Sequence, residues 1–259
     1  MSDCTTSDSV TTCKRKRNTD NDRSQEDPKV AKCDPVHPHN RSNVKWETIR
    51  AENLACDMVA MYGKTEADAL LEECEKTLTY NSGQLSKIRV FGKWHSIPRK
   101  QVAHGDPGLS YSFSGTTVPA YPWIPLLLRI RDKITDLTGY NFNFVLINRY
   151  QDGNDYIGEH KDDEVDLIAG HPIASLSLGQ ARDFVFRHQD TRGKKASRCV
   201  DPVTIELQHG TLLMMKYPTN SYWYHSVPRR KKLTGVRINM TFRKMDPSKC
   251  KKIEQHNLS

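Results

Sequence analysis

The sequence predicts an α+β protein with a double-stranded β-helix (jelly-roll) core, on three observations. A chain of 259 residues has room for one large mixed domain with a substantial core. Two amphipathic helical segments precede Gly139, and from Phe144 onward the chain breaks into short β-rich runs separated by Gly, Pro, Asp and His. Many closely spaced strands after supporting helices suggest a sheet that closes on itself as a jelly roll.

Taken in order, residues 1–43 contain no aromatic residue and few branched aliphatics, so they cannot bury enough apolar surface to offset chain entropy. They are expected to be a disordered tail. Its tetrapeptide Lys14-Arg-Lys-Arg17 is either a nuclear-import signal or a solvated charge run. The folded part opens at Trp46 and is expected to span 44–246, followed by a basic tail at 247–259. Thr65 to Leu78 reads as a helix with a side-chain N-cap, an acidic first turn and apolar Ala67, Leu70, Leu71, Cys74 and Leu78. A second helix runs from about Ile124 to Leu137, with Pro125 in its first turn and Gly139 just beyond its end. Strands are predicted at Phe144–Tyr150, Ile173–Leu178, Asp183–Arg187, Val203–Leu207, Thr211–Met215 and Val236–Phe242.

The net charge of +8 favours an anionic partner, nucleic acid before membrane surface. The apolar run Trp123–Leu128 contains a proline and stops at Arg129, so no membrane span is expected. The first residues carry no apolar signal core, which argues against secretion. Seven cysteines without CxxC pairs suit reduced thiols of the cytosol or nucleus, and give no zinc-finger spacing.

His160 and Asp162 lie two residues apart, and in an extended segment they share a face. With His225 arriving from a distant strand, two imidazoles and one carboxylate can cap one face of iron(II) and leave the other open. The surrounding Glu159-His-Lys-Asp-Asp-Glu164 is a costly density of negative charge without a cation, unless it is a solvated acidic loop. Arg237 and Arg243 share one face of a strand with Asn239 between them. Inward-facing arginines imply either an anionic ligand or internal carboxylates. Asn148 and Tyr150, on another apolar strand, offer an amide and a phenol to the same cavity.

Asn148-Arg-Tyr150, His160-x-Asp162, His225 and Arg237-x5-Arg243 resemble the AlkB family of iron(II)/2-oxoglutarate dioxygenases. Phe91-Gly-Lys-Trp-His, Tyr111-Ser-Phe113, Phe184-Val-Phe-Arg187-His and Leu212-Leu-Met-Met are similar to the DNA-repair members of that family. The matching order covers roughly residues 44–246. The resemblance implies that His160, Asp162 and His225 hold iron(II), and that 2-oxoglutarate and O2 are co-substrates. Arg237 then grips the far carboxylate of 2-oxoglutarate, Arg243 lies near the chelated one, and Asn148, Tyr150, Asn239 and Thr241 complete its hydrogen bonds. The implied reaction is oxidative demethylation of 1-methyladenine and 3-methylcytosine, with etheno adducts also within the family's range, releasing formaldehyde, succinate and carbon dioxide.

The implied substrate is alkylated double-stranded DNA, whose base must be flipped out of the stack. Phe91, followed by Gly92 and Lys93, suits either a wedge filling the vacated stack or ordinary core packing. The nearby Lys87, Arg89, Arg99 and Lys100 favour a DNA-facing hairpin, within a recognition region at about 83–120. Tyr111, Ser112 and Phe113 are placed to line the flipped base, with Asp163 at its exocyclic nitrogen. The basic stretches from Arg187 through Lys194 to Arg198 and from Arg229 through Arg230 to Lys232 read as phosphate grips or solvated faces. Animal relatives carry an N-terminal hydrophobic–basic motif for docking on the replication clamp, and residues 1–43 show none, which leaves that partnership open. A nuclear monomer is expected. The rival readings are an RNA or single-strand demethylase and a non-catalytic nucleic-acid-binding module.

Overall fold

The computed structural model describes residues 44–90, 92–113, 116–162, 164–193 and 198–250, the side chains of Val90 and Phe113 excepted. The predicted N-terminal tail with its basic tetrapeptide, and residues 251–259 of the predicted C-terminal tail, lie outside them.

Two strands, β1 (Glu47–Ala51) and β2 (Leu54–Ala60), precede α1 (Lys64–Thr77). Then come β3 (Lys87–Val90), β4 (Lys93–Ser96), β5 (Lys100–Gly105), β6 (Ser110–Phe113) and β7 (Thr116–Pro119). After α2 (Pro125–Thr138) follow β8 (Phe144–Tyr150), β9 (Ile157–His160), β10 (Ile173–Gly179) and β11 (Arg182–His188). The chain finishes with β12 (Val203–Leu207), β13 (Thr211–Met215), the short α3 (Thr219–Tyr222), β14 (Trp223–Val227) and β15 (Arg237–Arg243).

The strands form a seven-stranded antiparallel sheet in the order β1-β2-β13-β10-β15-β8-β5, a four-stranded sheet in the order β12-β11-β14-β9, and two hairpins, β3-β4 and β6-β7. From β8 onward the steps β8 to β9, β9 to β10, β10 to β11, β12 to β13 and β14 to β15 each cross from one of the two larger sheets to the other, as in a jelly roll. The helices coat the outer face of the large sheet, where Ala67, Cys74, Leu127, Ile130 and Ile134 meet Val145, Ile147, Leu176, Leu212, Ile238 and Met240. Each fully buried Leu, Ile, Val or Met side chain among them contributes about 1.5–3 kcal/mol. A second core fills the space between the sheets, with Leu54, Ile173, Leu213 and Met215 from one and Phe184, Phe186 and Trp223 from the other.

The six predicted strands and both helices are present, with ends shifted by at most a residue or two. Gly139 ends α2 with φ 76°, in the left-handed region that favours glycine. Two expectations need correction. Helix α1 begins one residue early, with Gly63 at its N-cap and no side-chain cap bond, so Thr65 lies inside the helix. The strands do not all follow the helices, since β1–β7 precede α2. Charge hid the first of them: β1 is an edge strand exposed at four of its five positions, so its sequence lacks an apolar alternation.

Strand β15 is buried on both faces, and that positions the site. Its even-numbered residues Ile238, Met240 and Phe242 pack under the helices. Its odd-numbered residues Arg237, Asn239, Thr241 and Arg243 point between the sheets and are all buried. Pairing with β8 sets Arg237 beside Tyr150 and Asn239 beside Asn148, while pairing with β10 sets Asn239 beside Ser177 and Thr241 beside Ser175. The interior of the roll is thus apolar toward β2 and β13 and polar over β8, β10 and β15.

Candidate metal and co-substrate site

In the small sheet His160 on β9 lies opposite His225 on β14, which brings the two rings to 4.3 Å between centroids. Asp162, two residues on, sets Oδ1 3.7 Å from His160 Nε2. One ligand atom from each of the three lies within 4.8 Å of the others, so the group could hold a metal ion. Asp162 and His225 are buried and His160 is partly exposed, which leaves one side of the cluster approachable. Burial, reinforced by His160, pushes the His225 imidazole down to about 3. It is therefore held neutral, the form a metal ligand needs. Burial alone would raise Asp162, but the guanidinium of Arg243 outweighs it and holds the carboxyl below the usual carboxylate range.

The two inward arginines have different partners. Arg243 donates from Nη2 to Asp162 Oδ1 at 2.9 Å, so for this residue the internal carboxylate is the answer. Arg237 is 1% exposed, donates to Ser177 Oγ at 3.0 Å and lies 5.2 Å from the Tyr150 ring centre. No carboxylate pairs with it among the described residues, and its Nε and Nη1 are buried without a hydrogen-bond partner. A buried guanidinium left in that state costs several kcal/mol, so its surroundings suit an anion; Tyr150, over which it lies, walls an inner cavity. Arg99, Asn148, Tyr150, Asn239, Thr241 and Arg243 line that cavity together with the metal-ligand cluster.

Three residues that the sequence reading passed over support the site. Ser175 Oγ accepts from Asn239 Nδ2 at 2.8 Å, and Ser177 Oγ accepts from Arg237. Hydroxyls at alternate positions of the apolar strand Ile173-Ala-Ser-Leu-Ser-Leu were the available signal. Asn220 accepts from Asp162 N at 2.9 Å and donates back to the Asp162 carbonyl, bracketing that peptide from α3. No short-range pattern pointed to it, because the contact spans 58 residues.

Beyond the metal-ligand cluster opens an outer cavity of about 690 Å³, walled in part by Arg99, Tyr111, Ser112, Ile157, His160 and Glu164. Tyr111 is buried and Ser112 half-buried. Burial, with the charge of Asp162 adding to it, raises Glu164 to about 7. In the β3-β4 hairpin Val90 pairs with Lys93, and Gly92 between the strands has φ 80°. Lys93 is exposed there. Phe91, the Phe113 side chain, Asp163 and Lys194 lie outside the described residues.

Three expectations about charge change. The acidic run 159–164 does not depend on a cation alone: Glu159 pairs with Arg187 and Arg192, Asp162 pairs with Arg243, and Glu164 sits near half-protonation at neutral pH. Arg99 does not belong to the solvent face of the hairpin. It is half-buried and donates from Nε to Asn148 Oδ1 at 2.8 Å, deep in the inner cavity. Two of the phosphate-grip arginines already carry partners, Arg187 on Glu159 at 2.7 Å and Arg230 on Asp183 at 2.6 Å, while Lys232 is exposed and has no ion pair among the described residues.

Known proteins share this architecture and sequence. The solved structure of OsALKBH1 superposes with a TM-score of 0.50 at 17% identity, over 77% of this chain and all of that one, which speaks for the fold. A human protein named DNA oxidative demethylase ALKBH2 is 58% identical over 211 residues, 82% of this chain and 81% of that protein. Its mouse counterpart is 54% identical over 204 residues, 79% and 85% of the two chains. Residues 57–243 match the model of the 2OG-Fe(II) oxygenase superfamily, whose members use iron(II), 2-oxoglutarate and O2. That span runs from β2 to the last residue of β15 and contains the paired histidines, Asp162 and both inward arginines. The chain belongs to the 2OG-Fe(II) oxygenase superfamily.

Proposed function

We propose that the protein is a nuclear DNA-repair dioxygenase that oxidatively demethylates N-alkylated bases such as 1-methyladenine and 3-methylcytosine, preferring duplex DNA. The observation that carries the co-substrate half of this reading is Arg237, a buried guanidinium with two unpartnered donors and no carboxylate beside it among the described residues. A dicarboxylic acid with one end on a metal at His160, Asp162 and His225 would satisfy it with the other. The DNA half is supported by the human and mouse relatives named DNA oxidative demethylase and by the net charge of +8.

In this reading His160, Asp162 and His225 hold the metal, and the low pKa of His225 keeps its nitrogen available. Arg237 orients the far carboxylate of 2-oxoglutarate, with Asn148, Tyr150, Asn239 and Thr241 around it. Iron(II) with 2-oxoglutarate and O2 supplies the oxidation that turns the N-methyl group into formaldehyde, with succinate and carbon dioxide as co-products. Tyr111 and Ser112 wall the base cavity, and Phe113 and Asp163 belong to the same proposal. Glu164, near half-protonation at neutral pH, can donate or accept at the rim of the cavity. Gly92 and Lys93, with Phe91 before them in sequence, are the proposed device that enters the duplex, at a cost on the order of a few kcal/mol to open it. Arg187, Lys194, Arg230 and Lys232 steady the flanking phosphates. Lys14–Arg17 is the proposed import signal. All the residues invoked come from one chain, so the reading needs no second copy and no clamp.

The test is incubation of the full chain with a 1-methyladenine duplex, iron(II) and 2-oxoglutarate, followed by nucleoside analysis, beside the matching single strand and RNA. Loss of the methyl group from the duplex, abolished by His160→Ala, is expected. An equal or faster reaction on single strands or RNA replaces the duplex reading, and no reaction on any of them defeats the enzymatic one.

A further inference from the structure

We infer that Arg99 is a positioning residue that couples capture of the base to binding of the co-substrate, an inference that rests on the function proposed above. The inner and outer cavities share a wall made of Arg99, Tyr111, Ile157 and His160. Arg99 reaches into both with one planar group. Its Nε donates at 2.8 Å to Asn148 Oδ1 on the inner side, and its Nη1 donates at 3.4 Å to the carbonyl of Tyr156, a residue of the outer wall. Gln101 Nε2 donates to the same Asn148 oxygen, also at 2.8 Å.

The direction of control follows from the chemistry of the donors. A guanidinium has only donors, so Arg99 dictates that the oxygen end of Asn148 faces it. The NH2 end, which has no hydrogen bond among the described residues, is then left for the inner cavity. Gln101 must present its own NH2 to that oxygen, and its Oε1 is consequently buried without a partner. Orientation passes from Arg99 to Asn148 to Gln101, not the other way.

Arg99 itself is incompletely held. No carboxylate pairs with it among the described residues, and the bond to Tyr156 is long. A nucleotide entering the outer cavity brings phosphate charge toward this cation. Fixing the guanidinium fixes the carboxamide of Asn148, so part of the ordering cost of the co-substrate has already been met when it arrives. Linkage makes the effect mutual: 2-oxoglutarate must tighten the damaged duplex by the factor by which the duplex tightens 2-oxoglutarate.

The experiment is calorimetric titration of 2-oxoglutarate into the full-length protein loaded with manganese(II), which blocks turnover, with and without a saturating 3-methylcytosine duplex. For the wild type we expect the duplex to tighten 2-oxoglutarate by about fivefold or more. Arg99→Lys keeps the charge but loses the planar fork, and should bring that ratio close to one. Gln101→Leu should weaken 2-oxoglutarate with and without DNA and leave the ratio as it was. Arg99→Gln serves as a second variant, and unfolding midpoints without ligand show that each variant folds. A wild-type ratio of one, or a ratio that persists in Arg99→Lys, overturns the coupling. Either result beside intact demethylation by the iron-loaded wild type leaves the proposed function standing, whereas absent demethylation removes that function itself.

Discussion

Replacing Arg237 by methionine should raise the stability of the ligand-free protein while abolishing its response to 2-oxoglutarate. Methionine fills much of the same volume without charge, and the site it would occupy is 1% exposed. What the substitution removes is one hydrogen bond to Ser177 and a stacking contact on Tyr150, against two donors that are buried with nothing to bond. The lost bond is worth about 1 kcal/mol and each unsatisfied donor costs about 1–3 kcal/mol, so the balance favours methionine by roughly 1–5 kcal/mol before the stacking contact is counted. With the co-substrate the sign reverses. Removing one partner of a buried charge pair costs about 3–5 kcal/mol, or roughly a hundred- to several-thousand-fold in affinity. The assay is thermal unfolding of the manganese-loaded protein with and without 2-oxoglutarate. At about a hundred times its dissociation constant a ligand adds about 2.7 kcal/mol to stability, which for a domain of this size raises Tm by roughly 5–10 °C. Wild type should show that rise and Arg237→Met almost none. A variant that is less stable without ligand and still shows the wild-type rise would refute the reasoning, because Arg237 would then be a packing residue.

Glu164→Gln should change the pH dependence of stability. The folded-state carboxyl is raised to about 7, so the native protein holds a proton that the unfolded chain releases above its ordinary value near 4.5. Its contribution is present below 4.5 and is lost as pH rises through 7, so the glutamine variant should gain over wild type in urea unfolding at pH 8 and not at pH 4.5. Asn220→Ala removes both bonds that bracket the Asp162 peptide and should weaken metal binding by about 10- to 100-fold, read by titration with manganese(II). Gly153→Ala should shift the 229–233 loop, since a Cβ there would lie 1.8 Å from the Arg230 carbonyl oxygen, and hydrogen exchange at the amides of Arg230 and residue 153 reports the loss of the bonds they donate to the residue 153 and Leu233 carbonyls. Neutralising Lys232 should reduce the slope of log affinity for duplex DNA against log salt by about one. Neutralising Arg230 should reduce it less, because that residue already pairs with Asp183.

Much of the architecture was readable because burial leaves a periodic trace. Strands β8, β10 and β15 are buried on both faces and appear as nearly continuous apolar runs, interrupted by the polar side chains that point between the sheets and, in β8, by Arg149, which pairs with Glu75 of α1. Helix α2 announced both of its ends, by Pro125 and by Gly139. Strands β1, β4 and β9 left no such trace. The first two are exposed at most of their positions, and β9, Ile157-Gly-Glu-His, is held by its partner strand rather than by its own propensity. Among the site residues, Arg99 walls the outer cavity and also reaches inward to Asn148, a contact 49 residues away that its basic neighbours in sequence do not signal.

The sequence by itself determined the inventory and the spacing: two histidines and a carboxylate with the right offset, two arginines on one face of one strand, and an aromatic, basic stretch to meet an anionic partner. These depend on local periodicity, which a linear chain records. Only the tertiary structure decided which arginine meets a carboxylate. Arg237 and Arg243 are equivalent in the one-dimensional pattern, and either could have been answered by an internal carboxylate. Folding brings Asp162 to Arg243 from 81 residues away and brings no carboxylate to Arg237 among the described residues. Charge pairing depends on distances across the roll, and sequence separation does not encode them.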